Sequence, residues 1–305
     1  MTTQTQHNDF DSSKTSRNKD RELFYIKVLY VLGHWPVFPM FILGAVVFGA
    51  FTASLIAPHD PLNGDLINER IPPVWHADGS WNKVLGTDPF GRDILSRVIF
   101  GAQISLKLAG TVIMVGSIVG TLVGLVAGWY GGLTDEILMR VAELNFAIPF
   151  VLVALASAVV FGPSFTLMVI LLSIFSWAAF ARQVRAETLR IKSTDYVALA
   201  RVAGASVPRI LFRHVVPGVV NTVLVLMTLN VGQLILAEAG LSFLGVGIPG
   251  PTPAWGSMVA DGRDYISENY WIALLPGLAI FLVVYAMNFI GDWLRDRWDP
   301  RLRQL

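Results

Sequence analysis

Few residues in this 305-residue chain could do covalent or metal chemistry, and their spacing argues against it. The five histidines, His7, His34, His59, His76 and His214, are scattered with no close pair. His59 and His76 share one polar stretch with several acids, which reads as solvated loop chemistry rather than a metal site. Gly240-Leu-Ser242-Phe-Leu begins like a nucleophile turn but lacks the glycine two residues after the serine. There is no cysteine, so thiolate catalysis, disulfides and iron–sulfur ligation are excluded. No Gly-x-x-x-x-Gly-Lys-Ser/Thr string occurs, so no phosphate-cradling loop is recognisable. The expectation is a chain with no catalytic site, cofactor or metal of its own.

The chemistry that remains is that of docking. From Asp195 to Pro217 the chain turns polar and basic, with Arg201, Arg209, Arg213 and His214. The spacing predicts two short helices joined at Gly204. Asp195 can cap the first and Gly204 end it; Ser206 can cap the second, with Pro208 in its first turn. Such a rigid pair, kept out of lipid, has a use if another protein docks on it.

The elements that must hold this segment are membrane spans. The chain is 54% hydrophobic and 15% charged, with mean hydropathy +0.58; soluble domains carry about 25% charged residues. A net charge of +1 leaves no nucleic-acid footprint. Six stretches are apolar enough to cross a bilayer: Val37–Ile56, Ile104–Trp129, Ile137–Phe161, Phe165–Ala181, Val219–Leu241 and Trp271–Trp293. The third is the softest, with Arg140 and Glu143 near its start and Pro149 inside it. Residues 1–20 are polar and read as an uncleaved cytoplasmic tail, and Arg21–Leu32 as an amphipathic surface helix. Basic residues crowd the tail, the segment around 182–213 and the C-terminus, which places those three inside. The expected fold is therefore an all-α polytopic membrane protein of six transmembrane helices with both termini cytoplasmic. Its parts are a tail (1–35), a first helix (36–57), an extracytoplasmic loop (58–103) with a short helix near Asp93–Phe100 that Asp93 can cap, and a five-helix core (104–305) with a cytoplasmic loop at 186–217.

Two groups inside the spans stand out. Gly116, Gly120, Gly124 and Gly128, continued by Gly132, recur every fourth residue and share one helix face. They fit close approach of a neighbouring helix of this chain or a seam between subunits. Asn230, Gln233 and Glu238 put polar groups on the fifth span. Glu238 falls near the outer end of that span, and its role is either a structural partner or a lining of the passage.

Several strings also carry a family resemblance. Ala198-Leu199-Ala200, then Gly204, then His214, Val216 and Pro217 follow the signature loop of ABC-importer permeases. Leu85-Gly-Thr-Asp88, Gly91-Arg92-Asp93-Ile-Leu-Ser96-Arg97, the block from Glu238 to Gly256, and Gly291-Asp292 through Pro300 resemble the dipeptide/oligopeptide/nickel group of those permeases. The likeness runs in order from about residue 55 to the C-terminus and is closest to the second, C-type permease subunit. Departures are Ala198 in place of the signature Glu, Gln103 where Arg is common, and His214 where the general pattern has Ile.

The resemblance implies the ABC type I importer permease fold in the inner membrane, surrounded by lipid. It implies a heterodimer with a sister permease, two cytoplasmic ATPase subunits that hold ATP and Mg, and an extracytoplasmic solute-binding protein. The 195–204 helix would lie in a cleft of an ATPase, with Val197, Leu199, Val202 and Ala203 against it and Arg201 at an acidic rim. The implied substrate is a di- or oligopeptide. Glutathione, a nickel chelate or another small solute is the alternative. An ion-gradient-driven secondary transporter, the rival from another class, is disfavoured by the lack of an internal repeat and by a nearly charge-free midplane.

Overall fold

The computed structural model describes residues 36–298. The expected surface helix Arg21–Leu32, the rest of the N-terminal tail and the last basic residues lie outside them. Among the described residues the chain is almost wholly helical, and its one extended pairing is an isolated bridge between Thr87 and Asp93. The first helix, α1 (Val37–Phe51), gives way at Thr52 to the single turn α2 (Ala53–Ile56). Four helices are long and apolar enough to cross a membrane: Ile94–Tyr130, Phe165–Lys192, Val207–Phe243 and Trp271–Trp298. A bent pair, Gly132–Ala147 and Phe150–Phe161, makes a fifth crossing if counted as one span, and α1 is a shorter apolar helix beside them.

Several of these bounds differ from those read from hydropathy. The second span, α3 (Ile94–Tyr130), has 37 residues, about 55 Å at 1.5 Å per residue. The short helix expected near Asp93–Phe100 is its first turns, so the loop expected over 58–103 ends at Asp93 and not at Gln103. The cause is local: the Asp93 carboxylate accepts from the Ser96 amide (2.9 Å) and hydroxyl (2.6 Å), a helix cap, and nothing from there to Tyr130 breaks the helix. The fourth span, α6 (Phe165–Lys192), likewise runs past Ala181 as a helix whose last turns carry Arg182, Arg185, Arg190 and Lys192. The third span breaks into α4 (Gly132–Ala147) and α5 (Phe150–Phe161), bent by 76°. Pro149 is the N-cap of α5; it has no amide proton for a helix bond and keeps Ile148 extended.

The glycine face of α3 decides the central packing. A Cβ on Gly116 would lie 2.1 Å from Ser176 Oγ, on Gly120 2.4 Å from Trp177 O, on Gly124 2.6 Å from Ala181 O, and on Gly128 2.8 Å from Thr188 Cβ. All four glycines thus close on α6 of the same chain, which runs parallel to α3. Gly132 does not continue this register: it follows Gly131 in a turn, both at positive φ, with open space around it.

The segment before α3 is pinned by charge. Asp88 accepts from the Phe90 and Arg92 amides and from Arg92 Nε (2.6 Å), and lies 3.4 Å from Arg97 Nε. Arg97, 1% exposed, also donates to the carbonyls of Pro61 and Pro251. Arg92 reaches Asp261 at 3.5 Å on α10 (Trp255–Gly262), the helix before the last span, α11 (Trp271–Trp298). Burial raises the Asp261 carboxyl's pKa, against the pull of Arg92 and Arg97. His59 Nδ1 lies 3.6 Å from Asp93, and no cluster of metal-ligating side chains occurs among the described residues.

Candidate functional site

The basic segment is built as one short helix slung between two long ones. α6 ends at Lys192, and after Ser193 and Thr194 the chain enters α7 (Asp195–Val202). Thr194, not Asp195, occupies the cap position, and no side chain accepts a cap hydrogen bond there. Asp195 is the first helical residue, where its charge favours the positive helix end. The other end closes as a Schellman motif: the Ala205 amide donates to Ala200 O and the Gly204 amide to Arg201 O, both at 3.0 Å. That closure needs a left-handed residue, and Gly204 supplies it at φ +78°.

The second short helix does not stand alone. Ser206 is at its N-cap position without a side-chain cap bond, and α8 (Val207–Ile210) holds Pro208 and Arg209. It passes through a π-helical stretch, Leu211–Val215, containing Arg213 and His214, into α9 (Val216–Phe243) with Pro217 in its first turn. Val207–Phe243 is thus one continuous helical run. Local sequence could not show this, because proline in a first turn is equally at home at the start of an isolated helix or of a long one.

Burial sorts the α7 side chains. Val197 is fully buried, with Trp129, Ile191, Ile210 and Val215, in a cluster at the basic end of α6. It therefore anchors α7 to its own chain and is not available to a partner. Leu199 is 68% exposed and Val202 87%, with Ala198 and Ala203 exposed beside them and Ala200 half-buried. The Arg201 guanidinium stacks over the Trp129 ring at 4.7 Å, and Lys192 donates to Trp129 O. Trp129 was not singled out from sequence, although an aromatic residue closing an apolar run was the available signal. Tyr196 and His214 lie ring to ring at 5.9 Å, and Phe212 is exposed. Leu199, Val202 and Phe212 are thus exposed apolar residues of this segment, and Arg209 and Arg213 are exposed as well.

The polar residues of the fifth span diverge. Asn230 Nδ2 donates to Leu226 O of its own helix, and Gln233 is exposed. Glu238 is 1% exposed and accepts from Ser242 Oγ at 2.7 Å, facing Gly256 of α10. The structure does not bring the three together.

Residues 120–304 match the family described as binding-protein-dependent transport system inner membrane component. The chain is 40% identical over 258 residues to the di/tripeptide transport system permease protein DppC of Pseudomonas aeruginosa, covering 85% of each. It is also 40% identical over 257 residues to the glutathione transport system permease protein GsiD of Pectobacterium atrosepticum, covering 83% of each. A solved structure of the MetNI methionine ABC transporter, facing inward, superposes with TM-score 0.54 at 19% identity over 65% of this chain and 94% of that one.

Proposed function

The chain belongs to the inner-membrane components of binding-protein-dependent transport systems, and on that premise we propose that it is the permease subunit of an ATP-driven importer of di- and oligopeptides. It is a multi-pass inner-membrane protein whose family works with ATPase and binding-protein partners. This chain would form half of a translocation path with a sister permease, and two ATPases would bind ATP and Mg on its behalf. Hydrolysis would belong to those partners, with no catalytic site here.

The observation that carries the reading is α7: a helix with a closed C-terminal motif, anchored inward by Val197, that offers Leu199 and Val202 to the cytoplasm. Both its ends lead within a few residues into long helices, α6 and the Val207–Phe243 run, so a displacement of α7 must move them. Relatives named for di/tripeptide and for glutathione transport support a short peptide or a peptide-like thiol as cargo.

The test is reconstitution. The tagged chain is purified with whatever accompanies it from its native membrane, the companions are identified by mass spectrometry, and the complex is placed in liposomes. ATP-dependent uptake of a labelled dipeptide, competed poorly by glutathione, is the expected result. A chain that purifies alone and transports without ATP overturns the reading.

A further inference from the structure

The broken third span carries an exposed ion pair and a helix break beside the apolar stretch of its neighbour. Two contacts fix its level: Asp135 pairs with Arg185, and Asn145 Nδ2 donates to Ile174 O at 2.6 Å. α4 therefore runs antiparallel to α6, with Asp135 level with Arg185 and Asn145 level with Ile174. Arg140 and Glu143 fall between: Arg140 about level with Phe180, at the end of the apolar part of α6, and Glu143 about level with Ser176, roughly one turn further into it. From Phe165 to Ala181 that helix has no charged residue, about 25 Å of apolar length. The break at Ala147–Phe150 falls further out, within the same apolar layer.

At this depth the surface is open. Arg140 Nη1 and Glu143 Oε2 pair at 3.0 Å, with the side chains 71% and 59% exposed. Phe146, Ala147, Ile148 and Pro149 are exposed around the break. A second cation reaches the same face, since the Arg182 guanidinium lies over the Phe146 ring at 4.1 Å. Irregular backbone and charged side chains at membrane depth are tolerated where protein covers them or where they line water, not against hydrocarbon.

We propose that Arg140, Glu143 and the break at 147–149 line a water-filled part of the translocation path and engage the charged ends of a zwitterionic short peptide. Arg140 would take the terminal carboxylate and Glu143 the terminal ammonium, exchanging their mutual pairing for two pairings with cargo. The assignment of cargo rests on the peptide reading above. A pair of opposite charges matches a zwitterion, whereas a buried seam between helices favours small residues and uncharged hydrogen-bonding ones.

The chain has no cysteine, which provides the test. Glu143→Cys and Ala147→Cys are each placed in the assembled transporter in liposomes and treated with a charged, membrane-impermeant thiosulfonate, with the label read on this chain by mass. Both positions are expected to react, and at Ala147→Cys, which keeps both charges, free dipeptide should slow the reaction about tenfold while an N-acetylated, C-amidated dipeptide does not. Failure to react at both positions, whether through lipid or through burial against the sister permease, overturns the proposal. Equal protection by free and blocked peptides overturns the terminal-charge assignment.

A second measurement does not depend on labelling. Arg140→Gln should raise the half-saturating concentration of a free dipeptide about tenfold and leave that of its C-terminal amide unchanged, with Arg140→Lys largely restoring it. Equal effects on both peptides contradict the assignment. Dipeptide uptake by the unaltered transporter is run in parallel: if it carries none, the peptide reading fails, while thiol reactivity still decides whether the passage is there.

Discussion

The amide of Ala205 donates to the carbonyl of Ala200 at 3.0 Å, a bond that reverses the chain at the end of α7. It exists because Gly204, between them, sits at φ +78°, and a Cβ there would meet nothing within 4 Å. Substitution at this position is thus penalised by backbone conformation and not by crowding. Gly204→Ala and Gly204→Leu are both expected to cost about 1–2 kcal/mol locally. Gly204→Asn should cost less, since Asn visits this region more readily. ATP-driven uptake per assembled transporter should fall for Ala and Leu alike, with the chain still in the membrane. A loss that scaled with side-chain volume would point to a steric role.

Leu199 and Val202 face outward while Val197 faces in, so the two classes of variant should separate. Leu199→Ser is expected to leave thermal stability unchanged and weaken binding of the ATPase by about 1.5–3 kcal/mol, the worth of one buried apolar side chain. Val197→Asp should do the reverse and destabilise the cytoplasmic cluster itself. Pull-down affinity and a melting curve on the same preparations distinguish them.

Glu238→Gln tests whether the buried carboxyl serves transport or packing. The amide oxygen can still accept from Ser242, so stability and uptake are expected to stay near normal. Glu238→Leu removes that acceptor and leaves the Ser242 hydroxyl unpaired at the α9–α10 contact, costing about 1–3 kcal/mol. A large loss of uptake in the Gln variant, with normal stability, would instead place Glu238 on the path.

Asp88 compensates two buried guanidiniums. Asp88→Asn keeps an acceptor for the Phe90 and Arg92 amides but removes the carboxylate beside Arg97, which is left donating to the Pro61 and Pro251 carbonyls. Breaking one side of a buried pair costs about 3–5 kcal/mol. Limited proteolysis of the 58–93 segment should quicken in this variant, with cleavage sites mapped by mass.

The close glycine face of α3 predicts that Gly120→Leu forces α6 away, because its Cβ alone would stand 2.4 Å from the Trp177 carbonyl and 2.5 Å from Phe180 Cβ. The expected outcome is a large loss of folded protein in mild detergent. Gly110→Leu, on the same helix with open space around it, should be tolerated as the control.

Much of this was legible because it is local. Apolar length marked the spans, Gly204 marked the end of α7, and a four-residue glycine period marked a contact face. Corrections arose where a local signal has two uses. Asp93 looked like the cap of a short helix and caps a long one; Pro208 looked like the start of a separate helix and begins a continuous run. Val197 and Leu199 are both apolar and two positions apart, and periodicity over eight residues could not say which side faced home.

The sequence by itself determined the membrane class, the family, the polar loop and the glycine face, since each rests on composition, period or a contiguous string. Only the tertiary structure decided that the glycines close on α6, that Trp129 receives Arg201, and that Arg140 and Glu143 stand beside the apolar part of α6. Those facts join residues tens of positions apart. Their depth and exposure are set by how the helices pack, which no run of neighbouring residues encodes.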